Sequence, residues 1–117
     1  MVAATEIRLR RQEKVLDVAF DDGSRVSLPA EYLRVESPSA EVQGHGPGQR
    51  QVVAGRRHVG IMTVEPVGNY AVRLIFDDLH DTGIFSWEYL HQLGIEQEAR
   101  WQDYLEALAA KGLRRDP

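Results

Sequence analysis

The stretch Leu16-Asp17-Val18-Ala19-Phe20-Asp21-Asp22-Gly23-Ser24-Arg25-Val26-Ser27-Leu28 decides how the first half of this chain folds. Apolar side chains at 16, 18 and 20, and again at 26 and 28, fall on every second residue, the period of a strand with one buried face. Between the two runs stands Asp22-Gly23, a hairpin signal because glycine accepts positive φ. Upstream, Glu6-Ile7-Arg8-Leu9-Arg10 alternates in the same way, so three antiparallel strands are predicted. Pro29 then opens Ala30-Glu31-Tyr32-Leu33-Arg34, where its fixed φ suits the start of a short helix.

Next comes Ser37-Pro38-Ser39-Ala40-Glu41-Val42-Gln43-Gly44-His45-Gly46-Pro47-Gly48, with three of the ten glycines and two of the five prolines and no helical or strand period. It reads as a loop ending near Gln51. Gln51-Val52-Val53 is a weak strand signal, whereas His58 to Val67 and Tyr70 to Phe76, flanking Gly68-Asn69, are strong ones. Tyr70, Val72, Leu74 and Phe76 share one face and are expected in the core; Ala71, Arg73 and Ile75 take the other, partly covered face. Asp77 to Gly83 is polar and turn-like. Ser86 is placed to cap a helix from Trp87 to Leu93, closed by Gly94. A last helix, Gln97 to Leu113, sets Trp101, Leu105 and Leu108 on one stripe with Ala109 beside them. The whole reads as one α+β domain over residues 1–117. It is expected to hold a mainly antiparallel sheet of five or six strands, a short helix near 29–34 and two C-terminal helices.

Composition removes many functions. The chain has 117 residues, 43% hydrophobic and 27% charged, a balance of ordinary globular proteins. Its net charge of −4 disfavours a nucleic-acid partner, despite the basic runs Arg8-Leu9-Arg10-Arg11 and Arg56-Arg57-His58. With no cysteine, disulfides, thiolate catalysis and cysteine-ligated zinc or iron-sulfur clusters are excluded within this chain. No apolar run approaches the roughly 20 residues of a bilayer-spanning helix, and there is no apolar signal core, so the expected address is cytoplasmic with no membrane partner.

No catalytic residues are assigned. The facial triad of non-haem iron oxygenases needs a carboxylate two residues after a histidine, and His45, His58, His80 and His91 are followed there by Pro47, Gly60, Thr82 and Leu93. Neither the zinc-protease spacing nor the P-loop lysine is present, and no nucleophile elbow surrounds Ser37 or Ser39. Asp77, Asp78, His80 and Asp81 put three carboxylates and an imidazole within five residues, which a cation could bridge. A solvated acidic turn is the blander reading of the same residues. Trp87, Tyr89 and Trp101 stand at core-like spacings on their helices.

Three pieces in order carry a resemblance: Leu28-Pro29-Ala30-Glu31-Tyr32-Leu33-Arg34, then Ser37 to Gly48, then Phe76-Asp77-Asp78-Leu79-His80-Asp81-Thr82-Gly83-Ile84-Phe85-Ser86-Trp87-Glu88-Tyr89-Leu90. Together they resemble the gamma-butyrobetaine hydroxylase-like N-terminal domain family, once catalogued as a domain of unknown function. The family-like module runs from about Thr5 to Gly94, leaving 95–117 as a C-terminal helical extension. In the carnitine-synthesis hydroxylases the resemblance implies a zinc-binding accessory domain preceding the iron- and 2-oxoglutarate-dependent catalytic domain. Related domains accompany ATPases of iron-sulfur cluster assembly.

By that resemblance, three cysteine ligands would fall at Ser37, Ser39 and Val42, and a histidine ligand at His80. Serine is a poor zinc ligand and valine is none, so His80 is left alone. Leu79 stands where the family's turn has glycine, which predicts a changed backbone there. The module is therefore expected to be a non-catalytic accessory that binds a protein partner, by analogy an iron-sulfur assembly or oxygenase component. No cofactor is expected. The interaction surface is assigned to Ser37, Ser39, Glu41, His45, Arg56 and Arg57. The alternative is a zinc- or iron-binding protein in which His80 acts with His45 or His58 and with Asp78 or Asp81. His80 is expected to hydrogen-bond a serine hydroxyl, a backbone carbonyl or Asp81, a neighbouring carboxylate favouring its protonated form.

Overall fold

A computed structural model of the chain describes residues 2–44 and 50–117. In chain order its elements are β1 (Ala4–Arg10), β2 (Val15–Phe20), β3 (Arg25–Pro29), α1 (Ala30–Val35), α2 (Ala40–Gln43), β4 (Ile61–Val67), β5 (Ala71–Phe76), β6 (Gly83–Ser86), α3 (Trp87–Ile95) and α4 (Gln97–Ala110). The six strands form two antiparallel three-stranded sheets, β1-β2-β3 and β4-β5-β6, rather than one. Leu16 lies opposite Leu9 and Leu28, and Leu74 opposite Val64 and Gly83, so each central strand buries its alternating face between two neighbours.

One core joins the sheets. Leu16, Val18, Phe20 and Leu28 from the first meet Ile61, Val72, Leu74, Phe76 and Phe85 from the second, with Leu33, Leu90 and Leu93 from the helices. Tyr70 does not join Val72, Leu74 and Phe76 there. It is 57% exposed, because it belongs to the turn before β5 and its ring folds back over Gly68.

The strand expected at 51–53 is absent. That segment packs against α4, where Val52, Val53 and Ala54 meet Val35, Tyr104 and Leu108. Its carbonyls are satisfied without a ladder: Tyr104 Oη donates to Val53 O at 2.6 Å and Arg56 to Ala54 O at 2.9 Å. The strong signal at 58–67 yields a strand only from Ile61, since Val59 N–H closes a turn onto Arg56 O. The stripe of α4 is thus covered by its own chain, with Tyr104 in place of the exposed Ala109.

Ser86 caps α3 as expected, its Oγ accepting from Tyr89 N–H at 3.1 Å. Gly94 does not end that helix but lies inside it. A Cβ at Gly94 would sit 2.3 Å from Val26 Cγ1, so the glycine serves close packing of α3 on β3.

Every residue of α1 is buried, including two charged ones, and Glu36 follows them inside. Buried charges persist when paired, and each partner comes from further along the chain, beyond the helix. Glu31 accepts from Arg115 at 2.7 and 2.9 Å, Arg34 Nε donates to Asp78 at 2.8 Å, and Glu36 accepts from Arg50 and, at 2.9 Å, from Arg100. Tyr32 Oη adds a bond to Leu93 O at 2.7 Å. The short helix is held as a hub, and its far end delivers Ser37 to the turn after β5.

Candidate functional site: a buried histidine between two serines and a glutamate

The turn from Asp77 to Thr82 is tied down by its backbone. Phe76 N–H donates to His80 O at 3.0 Å, Asp77 N–H to Gly60 O at 2.9 Å, and Leu79 N–H to Phe76 O at 3.1 Å. These bonds require a left-handed residue at the tip, and Leu79 supplies it with φ of 72°. Leu79 thus takes the left-handed conformation that glycine adopts without steric cost.

The same geometry drives the His80 side chain inward. Its Nε2 lies 2.9 Å from Ser37 Oγ and 3.4 Å from Ser39 Oγ, and its Nδ1 lies 3.1 Å from Glu41 Oε2. A carboxylate only accepts, so Nδ1 carries the proton toward Glu41 and Nε2 accepts from the Ser37 hydroxyl. Glu41 also accepts from Thr82 Oγ1 at 3.3 Å, and Gln43 Nε2 donates to Ser37 O at 2.8 Å. Gly83 leaves the space for the serine, since a Cβ there would fall 2.6 Å from Ser37 Oγ.

Burial lowers the pKa of His80, the positive charge of Arg34 lowers it further, and the opposing pull of Glu41 is outweighed. The ring is held neutral, the reverse of the protonated form expected from an adjacent carboxylate. Asp78 behaves differently. Burial opposes its charge, but the His80 N–H at 3.1 Å and the guanidinium groups of Arg34 and Arg56 at 2.8 and 2.7 Å prevail, keeping its carboxyl below the ordinary range. Among the described residues, Arg34 Nη1 is a buried side-chain nitrogen without a hydrogen-bond partner.

The expected metal set is not assembled around the ring. Asp78 faces the two arginines and touches His80 only through the backbone. Asp81 is exposed and meets Arg73 at 3.9 Å, and His58 is exposed with its carbonyl taken by Lys14 Nζ at 2.7 Å. His45 lies outside the described residues. Among the described residues no three His, Asp or Glu side chains group to hold a metal ion.

Of the residues assigned to an interaction surface, Ser37 and Ser39 are buried and turned onto His80. Glu41 and Arg57 are exposed, Arg57 pairing with Asp116, and Arg56 is half-buried on Asp78. Sequence reasoning missed Gly83 and the role of Glu41 as the second partner of His80. A residue 39 positions away in the chain carries no periodic sign of such a contact.

Serine, imidazole and carboxylate in this order resemble the relay that activates a nucleophilic serine. Here the serine is closed off from solvent. Ser37 has 0% exposure, and the four main cavities described are lined by none of Ser37, His80 or Glu41. The first of these, about 390 Å³, lies elsewhere, between Val35, Glu36, Arg100 and Tyr104.

A family model described as gamma-butyrobetaine hydroxylase-like, N-terminal, matches residues 7–91. The chain belongs to that family. Two proteins solved by NMR are similar to this family member over its whole length. One is 45% identical with 92% of its chain covered, the other 44% identical with 87% covered, both at a TM-score of 0.86. A crystal structure from Acidithiobacillus ferrooxidans, of a DUF971 family protein with unknown function, is 43% identical. It matches 79% of this chain and 92% of its own, with a TM-score of 0.67. No curated protein matches the chain. Among the described residues no helix is long and apolar enough to cross a membrane.

Proposed function

We propose that this chain is a non-catalytic accessory module that binds a protein partner, with its buried polar cluster serving to hold the contact surface in shape. The observation that carries this reading is that both ring nitrogens of buried His80 are occupied, by Ser37 and by Glu41. A group so satisfied gains nothing by opening to a substrate, while breaking either bond would strand a buried polar atom. What the cluster does is fasten α2 to the turn of residues 77–82 and fix the exposed groups of both.

The fused relatives support a partner in iron or iron-sulfur metabolism, an oxygenase or an assembly component, by analogy of family alone. A cytoplasmic address goes with that analogy. The metal-binding alternative requires the ring to leave Ser37 and recruit carboxylates that now face arginines.

The test places a photo-crosslinking side chain at exposed Thr82 and, as a control, at exposed Glu106 on α4. In cells producing the protein at native level, Thr82 should yield one discrete protein adduct and Glu106 none. No adduct from the turn would overturn the reading. One zinc or iron per natively purified chain, lost in His80→Ala, would replace it with the metal-binding alternative.

A further inference from the structure

Two guanidinium groups converge on one carboxylate oxygen at the His80 turn. Arg34 Nε and Arg56 Nε both donate to Asp78 Oδ2, at 2.8 and 2.7 Å, while Asp78 Oδ1 accepts from His80 N–H at 3.1 Å. One carboxylate thus faces two positive charges. Arg56 spends a further donor on Ala54 O. Arg34 is 8% exposed, and among the described residues its buried Nη1 has no hydrogen-bond partner.

A guanidinium cannot shed its proton in a protein, so Nη1 always presents its donors. Leaving a buried charged donor unpaired costs more than leaving a neutral one, and such an atom in a native fold calls for a bound water or ion. Charge selects between the two. The neighbouring ionic groups are already engaged: Glu41, its side chain 64% exposed, accepts from His80 and Thr82, Glu31 holds Arg115, and Arg57 pairs with Asp116. Exposed Asp77 has Lys14 beside it at Gly60. Arg34, Arg56 and Asp78 therefore sum to one positive charge, with side chains only 10%, 34% and 20% exposed. Withdrawn from water, that excess attracts an anion more strongly than a neutral water.

Size narrows the class further. None of the four main cavities described is lined by Arg34, Arg56 or Asp78, which points to a single atom rather than a phosphate or an organic acid. We infer that Arg34 and Arg56 bind one monatomic anion, chloride, against Arg34 Nη1. The ion completes the contact between α1, the segment at residues 54–56 and the turn of residues 77–82. This site is independent of the protein partner proposed above.

The experiment follows the melting temperature of the full chain at constant ionic strength while sodium gluconate is exchanged for sodium chloride or bromide. Binding to the folded state alone should raise it with the logarithm of halide concentration, by about 2 °C or more. Arg56→Gln leaves Arg34 and Asp78 as a neutral pair, and the rise should vanish. Arg57→Gln, which removes the same charge one residue away, should keep it. In crystals of the unaltered protein grown with bromide, an anomalous peak should lie in contact with Arg34 Nη1. Water in place of bromide there, no halide-dependent rise, or a rise unchanged in Arg56→Gln would overturn the inference. A bromide peak without any halide dependence in solution would mean an adventitious ion only, and would overturn it too.

Discussion

Ser37 Oγ donates to His80 Nε2 across 2.9 Å, joining the end of α1 to the turn after β5 over 43 residues of chain. Because the imidazole must stay neutral to accept that bond, the contact couples the fold to pH. Protonation of Nε2 would end its acceptance from Ser37 and place a charge where burial and Arg34 already disfavour it.

The sign of that coupling follows from the direction of the shift. His80 is held below its ordinary 6.5 when folded, so near and below that pH the unfolded chain binds more protons than the folded one. Stability is then full above the unfolded value and declines as pH falls through it toward the folded value. Urea midpoints should drop between pH 7.5 and pH 5.5. His80→Gln, which can hydrogen-bond but not titrate, should flatten that decline, and an identical slope in the variant would assign it to other groups.

The resemblance implies a second test of the same cluster. Ser37 and Ser39 point at His80, and Val42 is buried on α2. If the path of a metal clamp has been kept, the triple variant Ser37→Cys, Ser39→Cys, Val42→Cys should bind one zinc per chain with three thiolates and His80. Its melting temperature should rise on zinc addition, and the rise should vanish with His80→Ala added. A triple variant that unfolds or stays metal-free would mean that the loop has diverged from a ligating geometry.

How far the sequence reveals this molecule depends on the range of the interactions involved. Strand alternation in β2, β3 and β5 and the Ser86 cap are local, and they read correctly. The split into two sheets was not legible, because α1, α2 and the segment to residue 60 separate β3 from β4 without any signal of which edges pair. Val52 and Val53 mimic a strand, yet Tyr104 satisfies the backbone from 51 residues away. At the site, the pairing of Ser37 and His80 came from family resemblance, while the neutral ring depends on Arg34 and burial, which no spacing reports.

Leu74 and Tyr70 separate pattern from placement. Both fall on the same alternation, but Leu74 is fully buried in the joined core and Tyr70 lies over its own turn. Leu74→Ala should destabilise by about 2 to 5 kcal/mol, the range for cavities in packed cores. Tyr70→Ala should change stability by roughly 0.5 kcal/mol or less, as at surface sites. Chemical denaturation of the two variants decides the matter, and a large loss in Tyr70→Ala would put that ring into the core.

Gly94 and Val26 make a pair whose contact is visible only across the fold. With a Cβ position 2.3 Å from Val26 Cγ1 and 2.9 Å from Val26 Cβ, alanine at 94 cannot be accommodated by turning a flexible side chain, since valine has no far end to move. In an isolated helix Gly94→Ala would stabilise by about 1 kcal/mol. Here overpacking should reverse the sign, with a net loss of about 1 to 3 kcal/mol as α3 lifts from β3. Val26→Ala alone should lose a smaller amount from a half-buried site, and the double variant should recover most of the Gly94→Ala loss. A double-mutant cycle by urea denaturation measures that recovery as a coupling between residues 68 positions apart. Strict additivity would show that α3 shifts freely on the sheet, and that the glycine is there for another reason.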